Sequence, residues 1–118
     1  MPHPIAPALE VALDYYKAVS TGRFADAADR LAPDFVCHAP RAGSITSRTE
    51  YVATLADHMR ILTSSVLVAA HGGPDDALLY YVHTYEGFGD VHTAEYIEVC
   101  NGRIASSRVI FDSRPFDK

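Results

Sequence analysis

The order of elements along this chain predicts an α+β domain, with helices first and a run of antiparallel strands after them. Three observations carry that expectation. Apolar residues recur at helical spacing over residues 7–20 and again beyond Ser47. Stretches rich in Val, Leu, Ile and Tyr, bounded by glycine turns, fill residues 64–112. Strands do not alternate with helices, so a parallel βαβ sheet is not expected.

The first helix is placed at residues 7–20. Pro7 suits a first turn, Leu9, Ala12, Leu13, Tyr16 and Val19 share a face, and Thr21-Gly22 stops it. A short second helix follows over about Phe24–Leu31, ending before Pro33. Asp34–Ala39 reads as a strand closed by Pro40. The third helix starts at Ser47, an N-cap with Glu50 three residues on, and carries the stripe Tyr51, Val52, Leu55, Met59 and Leu62. Strands are then expected at Ser64–His71, Ala77–Gly87, Val91–Cys100 and Arg103–Asp112, with Asn101-Gly102 as a hairpin turn. The whole is read as one domain, 1–118, with helices over about 7–62 and the sheet mostly over 64–112.

Composition narrows the function. Hydrophobic residues make up 48% and charged residues 21%, the balance of a soluble globular protein. The net charge is −5 with no Lys/Arg run, which argues against a nucleic-acid partner. Apolar runs such as Val66–Ala70 are too short to cross a bilayer, so no membrane partner is expected. The first ten residues lack a basic region followed by an apolar stretch, so no leader is expected. Cys37 and Cys100 read as buried, unpaired thiols of a cytoplasmic protein rather than a disulfide. The six histidines show no metal-ligand spacing, and phosphate loops, nucleophile elbows and CxxC pairs are absent. Neither a metal nor a cofactor is expected.

Three stretches carry a family likeness: 15–24 (YYKAVSTGRF), 31–40 (LAPDFVCHAP) and 95–104 (EYIEVCNGRI) running on to Phe111-Asp112. With the element order, they resemble the nuclear transport factor 2-like superfamily, in its SnoaL-like and ketosteroid isomerase-like branch. The resemblance implies a cone-shaped, curved antiparallel sheet wrapped around the N-terminal helices, a cystatin-like α+β barrel. The same fold serves isomerases, dehydratases, epoxide hydrolases, cyclases and non-enzymes. Ketosteroid isomerase keeps a catalytic carboxylate on the first strand, and that slot falls on Ala39. Its helix-one tyrosine falls on Tyr15 and its second oxyanion-hole acid on Glu95. The acid that limonene epoxide hydrolases carry on the last strand is missing from Arg108-Val109-Ile110-Phe111. Scytalone dehydratase, another relative, uses pocket histidines and tyrosines.

Alternation along strands then predicts the pocket wall. A two-residue turn at Asn101-Gly102 would put Arg108 and Asp112 on the inner face with Glu95. A three-residue turn, Cys100-Asn101-Gly102, would put Glu95 opposite Ser107 and turn Ile97, Val99, Ala105, Val109 and Phe111 inward. The second buries fewer charges and is preferred. A three-residue loop Phe88-Gly89-Asp90 would likewise pair Gly87 with Val91, Tyr85 with Thr93, His83 with Glu95 and Tyr81 with Ile97.

Two functions follow. In the first, the chain is an acid/base enzyme — an isomerase, cyclase or dehydratase — acting on a small apolar cyclic or carbonyl compound. His83 shuttles a proton and Glu95 orients it or acts as acid, both catalytic. Tyr15, Tyr16, Tyr81, Tyr85, Ser107, Val109 and Phe111 contact the substrate, with tyrosines on the developing oxyanion. In the second, supported by Ala39 at the slot of the base, the chain is a non-catalytic ligand-binding or dimerisation module. A homodimer is expected through the outer sheet face, where Leu78, Tyr80, Val82, Ala94, Tyr96, Ile104 and Ile110 are too apolar to leave in water.

Overall fold

The computed structural model describes residues 6–40 and 43–116. The first five residues, read above as carrying no leader, lie outside that range. Helix α1 spans Pro7–Ser20, with Pro7 in its first turn, and buries Ala8, Ala12, Tyr15, Ala18 and Val19. It ends where Gly22 takes the left-handed conformation at φ 76° and the Arg23 amide bonds back to the Ala18 carbonyl. Helix α2, Phe24–Asp29, is shorter than expected, because β1 begins earlier, at Leu31, and runs to Ala39. Pro33 lies inside that strand. It is tolerated because β1 pairs with its neighbour at Leu31 and resumes only at Val36, so no ladder donor is needed from residue 33.

A short strand β2, Gly43–Ile45, not anticipated from the sequence, pairs with the end of β1. Helix α3, Arg48–His58, is capped by Ser47, whose side chain accepts from the Glu50 amide at 3.2 Å. Strands β3 (Leu62–Gly72), β4 (Asp76–Tyr85), β5 (Gly89–Cys100) and β6 (Arg103–Phe111) follow. The sheet order is β2-β1-β6-β5-β4-β3. The meander β3–β6 is antiparallel as expected, but β1 runs parallel to β6, so the sheet as a whole is mixed. A final 3₁₀ turn, Arg114–Phe116, is held by the Arg114 guanidinium on the Asp112 carboxylate at 2.7 Å. Helices α1 and α3 pack on the concave side, where Leu31, Phe35, Leu79, Ile97 and Ile104 are fully buried.

Both hairpin registers differ from expectation, for backbone reasons. The β4–β5 loop is Glu86-Gly87-Phe88, with Tyr85 opposite Gly89; Gly87 and Gly89 both take positive φ, which lets the chain reverse two residues early. His83 therefore faces Val91, Tyr85 faces Gly89, Tyr81 faces Thr93, and Glu95 faces Leu79. The shift is even, so each side chain keeps the face assigned to it. In the β5–β6 hairpin the turn is Asn101-Gly102 alone, with φ 53° and 77°, the two-residue geometry that suits strand twist. A bulge lies instead at Ala105, between the pairs Val99–Ile104 and Glu98–Ser106. The bulge restores the expected inner face. It also places Ile104 before the switch, so Ile104 is fully buried rather than on the outer face. Glu95 stands opposite Val109, and Ser107 opposite Ile97.

Candidate active site

Between the concave sheet face and helices α1 and α3 lies a cavity of about 370 Å³. Every residue expected at the site lines it except Ser107, which lies beneath the wall, 1% exposed, and reaches Glu95 diagonally. Ala39, at the end of β1, lines the cavity as well.

Glu95 is the buried acid of the wall. Its Oε1 accepts from the Tyr81 hydroxyl at 2.7 Å and its Oε2 from the Ser107 hydroxyl at 2.6 Å. Burial raises its pKa above the ordinary carboxylate value, and the two hydrogen bonds hold it back only in part. Across the cavity the Tyr15 and Tyr51 hydroxyls share a hydrogen bond of 2.5 Å. Burial, and the nearby Glu95 charge, push both phenols and Tyr81 upward, so all three remain donors. Cys37 is pushed up to about 12 by burial and the Glu95 charge, against a hydrogen bond with Tyr51. It is unpaired and buried, as expected; Cys100 is unpaired as expected, but at the hairpin end of β5 it is exposed rather than buried.

His83 does not touch Glu95. Their partners lie four residues apart on the ladder, about 13 Å along the strand. Tyr81 stands between them, its hydroxyl on Glu95 and its ring 4.5 Å from the imidazole. The Nδ1 of His83 is hydrogen-bonded to Ser65 Oγ at 2.9 Å. Burial lowers its pKa to about 4, with the neighbouring His58 as a lesser cause, so the ring is neutral at neutral pH. Burial likewise lowers His58, and lifts the Tyr85 phenol well above its ordinary value. Tyr85 packs between His83, His58 and Phe116 and closes this end with aromatic edges.

Sequence reasoning missed Ser65, Tyr51, His58 and Phe116 as site residues. Ser65 was findable in principle, because it faces His83 across the β3–β4 ladder, but two irregularities in that pairing spoil a simple count. Tyr51 was placed in the core stripe of α3, and only the packing of α3 on Phe35 and α1 turns its hydroxyl to Tyr15. No His/Cys/Asp/Glu cluster able to hold a metal occurs among the described residues, and no described helix is long and apolar enough to cross a membrane.

No protein-family model and no curated protein matches the chain. Solved structures do. A protein from Kribbella flavida shares 36% identity with a TM-score of 0.90, over 94% of this chain and 91% of that one. A nuclear transport factor 2-like protein of unknown function from Cytophaga hutchinsonii superposes with a TM-score of 0.82 at 22% identity, over 100% of both chains.

The chain has the nuclear transport factor 2-like fold.

A limonene-epoxide-hydrolase-like epoxide hydrolase of M. tuberculosis has the same fold, with a TM-score of 0.75 at 15% identity over 90% of this chain and 83% of that one.

Proposed function

We propose that this nuclear transport factor 2-like protein binds a small, neutral, mostly apolar cyclic or carbonyl compound in its cavity and acts on it by acid–base catalysis, as an isomerase, cyclase or dehydratase. The observation that carries this reading is Glu95, a buried carboxyl with a raised pKa on the cavity wall. A carboxyl whose pKa burial raises keeps its proton to higher pH than an exposed one, which suits a general acid. His83, neutral and with Nδ1 already engaged, is the second catalytic group. Tyr15, Tyr16, Tyr81 and Tyr85 supply hydroxyls and ring faces, and Val109 and Phe111 the apolar surface. A metal or cofactor has no part in this reading.

A non-catalytic binding role is the second reading, favoured by Ala39 at the strand-one slot. A panel of cyclic enones and hydroxylated aromatics separates the two. Acid–base catalysis predicts turnover of a compound that also raises the melting temperature, with turnover lost and binding kept in Glu95→Gln. Thermal stabilisation by several compounds with turnover of none would favour the binding module.

The outer sheet face supports a homodimer. Leu78, Tyr80, Tyr96 and Ile110 are 49%, 38%, 39% and 64% exposed, and the neighbouring Val66 and Val68 are 60% and 54% exposed. A symmetric pair through this face would cover them all. Sedimentation at tens of micromolar should show a species of twice the 12.9 kDa chain, and a monomer alone would defeat the idea. The two unpaired cysteines support a reducing, cytoplasmic setting.

A further inference from the structure

Three polar side chains from three elements meet at one corner of the cavity: Tyr16 on α1, Ser65 on β3 and His83 on β4. Ser65 and His83 stand directly opposite each other in the β3–β4 ladder, so their side chains share the inner face. Ser65 Oγ is hydrogen-bonded to His83 Nδ1 at 2.9 Å and also to the Tyr16 hydroxyl. The Tyr16 and His83 rings are nearly parallel, 6° apart, with centroids at 6.3 Å, so the serine hydroxyl bridges two stacked rings.

A serine hydroxyl has one proton to donate. If Ser65 donates to Nδ1, Tyr16 donates to Ser65, and His83 carries its own proton on Nε2. If Nδ1–H donates to Ser65, Ser65 donates to Tyr16, and Nε2 is left as a base while the Tyr16 proton is free. Among the described residues Nε2 has no hydrogen-bond partner, yet no buried side-chain polar atom is left unpartnered. Nε2 therefore opens on the cavity that His83 lines.

The geometry points to Tyr16, Ser65 and His83 as a reversible proton relay, with Ser65 the positioning residue that decides whether His83 meets the ligand as acid or as base. The relay rests on the acid–base reading of the cavity and specifies how one half of it works. A ligand gives a proton to Nε2 and keeps the bonding electron pair. Nδ1 passes its proton to Ser65, Ser65 passes its own to Tyr16, and Tyr16 delivers its hydroxyl proton to a second atom of the ligand. One proton leaves the ligand and one arrives, and no protein group gains or loses charge. That matters here because burial disfavours the imidazolium, whose pKa is pushed down to about 4. Exchange with solvent at Nε2 and Tyr16 resets the direction.

The tautomer of His83 can be read without any ligand, by ¹⁵N NMR of the full chain labelled at histidine. One tautomer should dominate in the wild type. Tyr16→Phe keeps the ring and removes only the far hydroxyl, and Ser65→Ala removes the bridge. Each should shift the tautomer ratio by about tenfold, the effect of one hydrogen bond of ordinary net strength, and Ser65→Thr should restore it. An unchanged ratio in both variants overturns the relay, and Tyr16→Phe alone decides the matter if Ser65→Ala fails to fold. With a turned-over compound in hand, Ser65→Ala should lower kcat about tenfold or more at unchanged KM, with rescue by Ser65→Thr. Coupled tautomers without turnover of any compound would sink the acid–base reading; turnover without coupling would sink the relay.

Discussion

Glu95 and His83 on the inner wall are buried to the same degree, each 4% exposed, yet they are built on opposite principles. Glu95 sits in mid-sheet with both carboxylate oxygens taken by hydroxyl donors from its own sheet. His83 sits near the β4–β5 hairpin, has one nitrogen engaged and opens the other to the cavity. Burial acts on both by disfavouring charge, but it raises the pKa of the acid and lowers that of the base. Desolvation thus pushes the two groups of one wall in opposite directions, each toward its neutral form. The aromatic ring of Tyr81 separates them.

The largest effect expected of this arrangement is on rate. Glu95→Gln and His83→Ala should each slow turnover by about 10²–10⁴-fold if both groups handle protons. Because the two side chains do not touch, the double variant should lose substantially more than the worse single variant. Rates for the double that match the worse single would show that the two ends act as one coupled unit through Tyr81.

The same contrast sets opposite pH signs on stability. The folded pKa of His83 is depressed from 6.5 to about 4, so its contribution is present above pH 6.5 and disappears as pH falls toward 4. The loss amounts to roughly 3 kcal/mol when complete, at 1.36 kcal/mol per pKa unit. For Glu95 the folded pKa is raised above 4.5, so its contribution is present below pH 4.5 and is lost as pH rises through the folded value. Urea unfolding across this range should therefore show wild type losing stability relative to His83→Gln on acidification, and gaining it relative to Glu95→Gln. Parallel profiles for wild type and both variants would refute the assigned environments.

How much of this was legible beforehand follows from the same geometry. The helices, the strand order of the meander and the face of every named site residue could be read from periodicity, because side chains alternate strictly and an even slip changes no face. Register could not, since it depends on which glycines adopt positive φ. Gly87 and Gly89 do so, and they move His83 from Glu95 to Val91. The bulge at Ala105 was likewise misplaced, which cost Ile104 its assignment but left Glu95, Val109 and Phe111 on the wall. The parallel β1–β6 pairing joins residues far apart in the chain and leaves no local mark.

A smaller effect tests the closed network around Glu95. Tyr81→Phe removes one of its two donors and leaves Oε1 without its protein partner. This should cost about 1–3 kcal/mol at a pH high enough to ionise Glu95, where the charged form feels the loss, and less in acid. Chemical denaturation at both pH values measures it. In a Glu95→Gln background the cost should shrink, because the neutral amide no longer needs a donor at that position. An equal cost in both backgrounds would mean that the hydroxyl acts through packing rather than through the carboxylate.

The smallest effect concerns the phenol pair that faces this network. Tyr15 and Tyr51 share one hydrogen bond, and the Tyr51 hydroxyl also lowers the pKa of the Cys37 thiol. Removing the Tyr15 hydroxyl costs that one bond, whereas removing the Tyr51 hydroxyl costs the bond and its influence on Cys37. Tyr15→Phe should cost about 0.5 kcal/mol and Tyr51→Phe about 1–1.5 kcal/mol, the range of a lost neutral hydrogen bond. The second variant should also raise the pKa of Cys37 further, because the Tyr51 hydroxyl is the one influence that lowers that thiol. Slower alkylation of Cys37 in Tyr51→Phe than in Tyr15→Phe, with Cys100 as the exposed internal reference, would place the thiol in the network. Equal stabilities and equal alkylation rates would show instead that the two tyrosines serve each other alone.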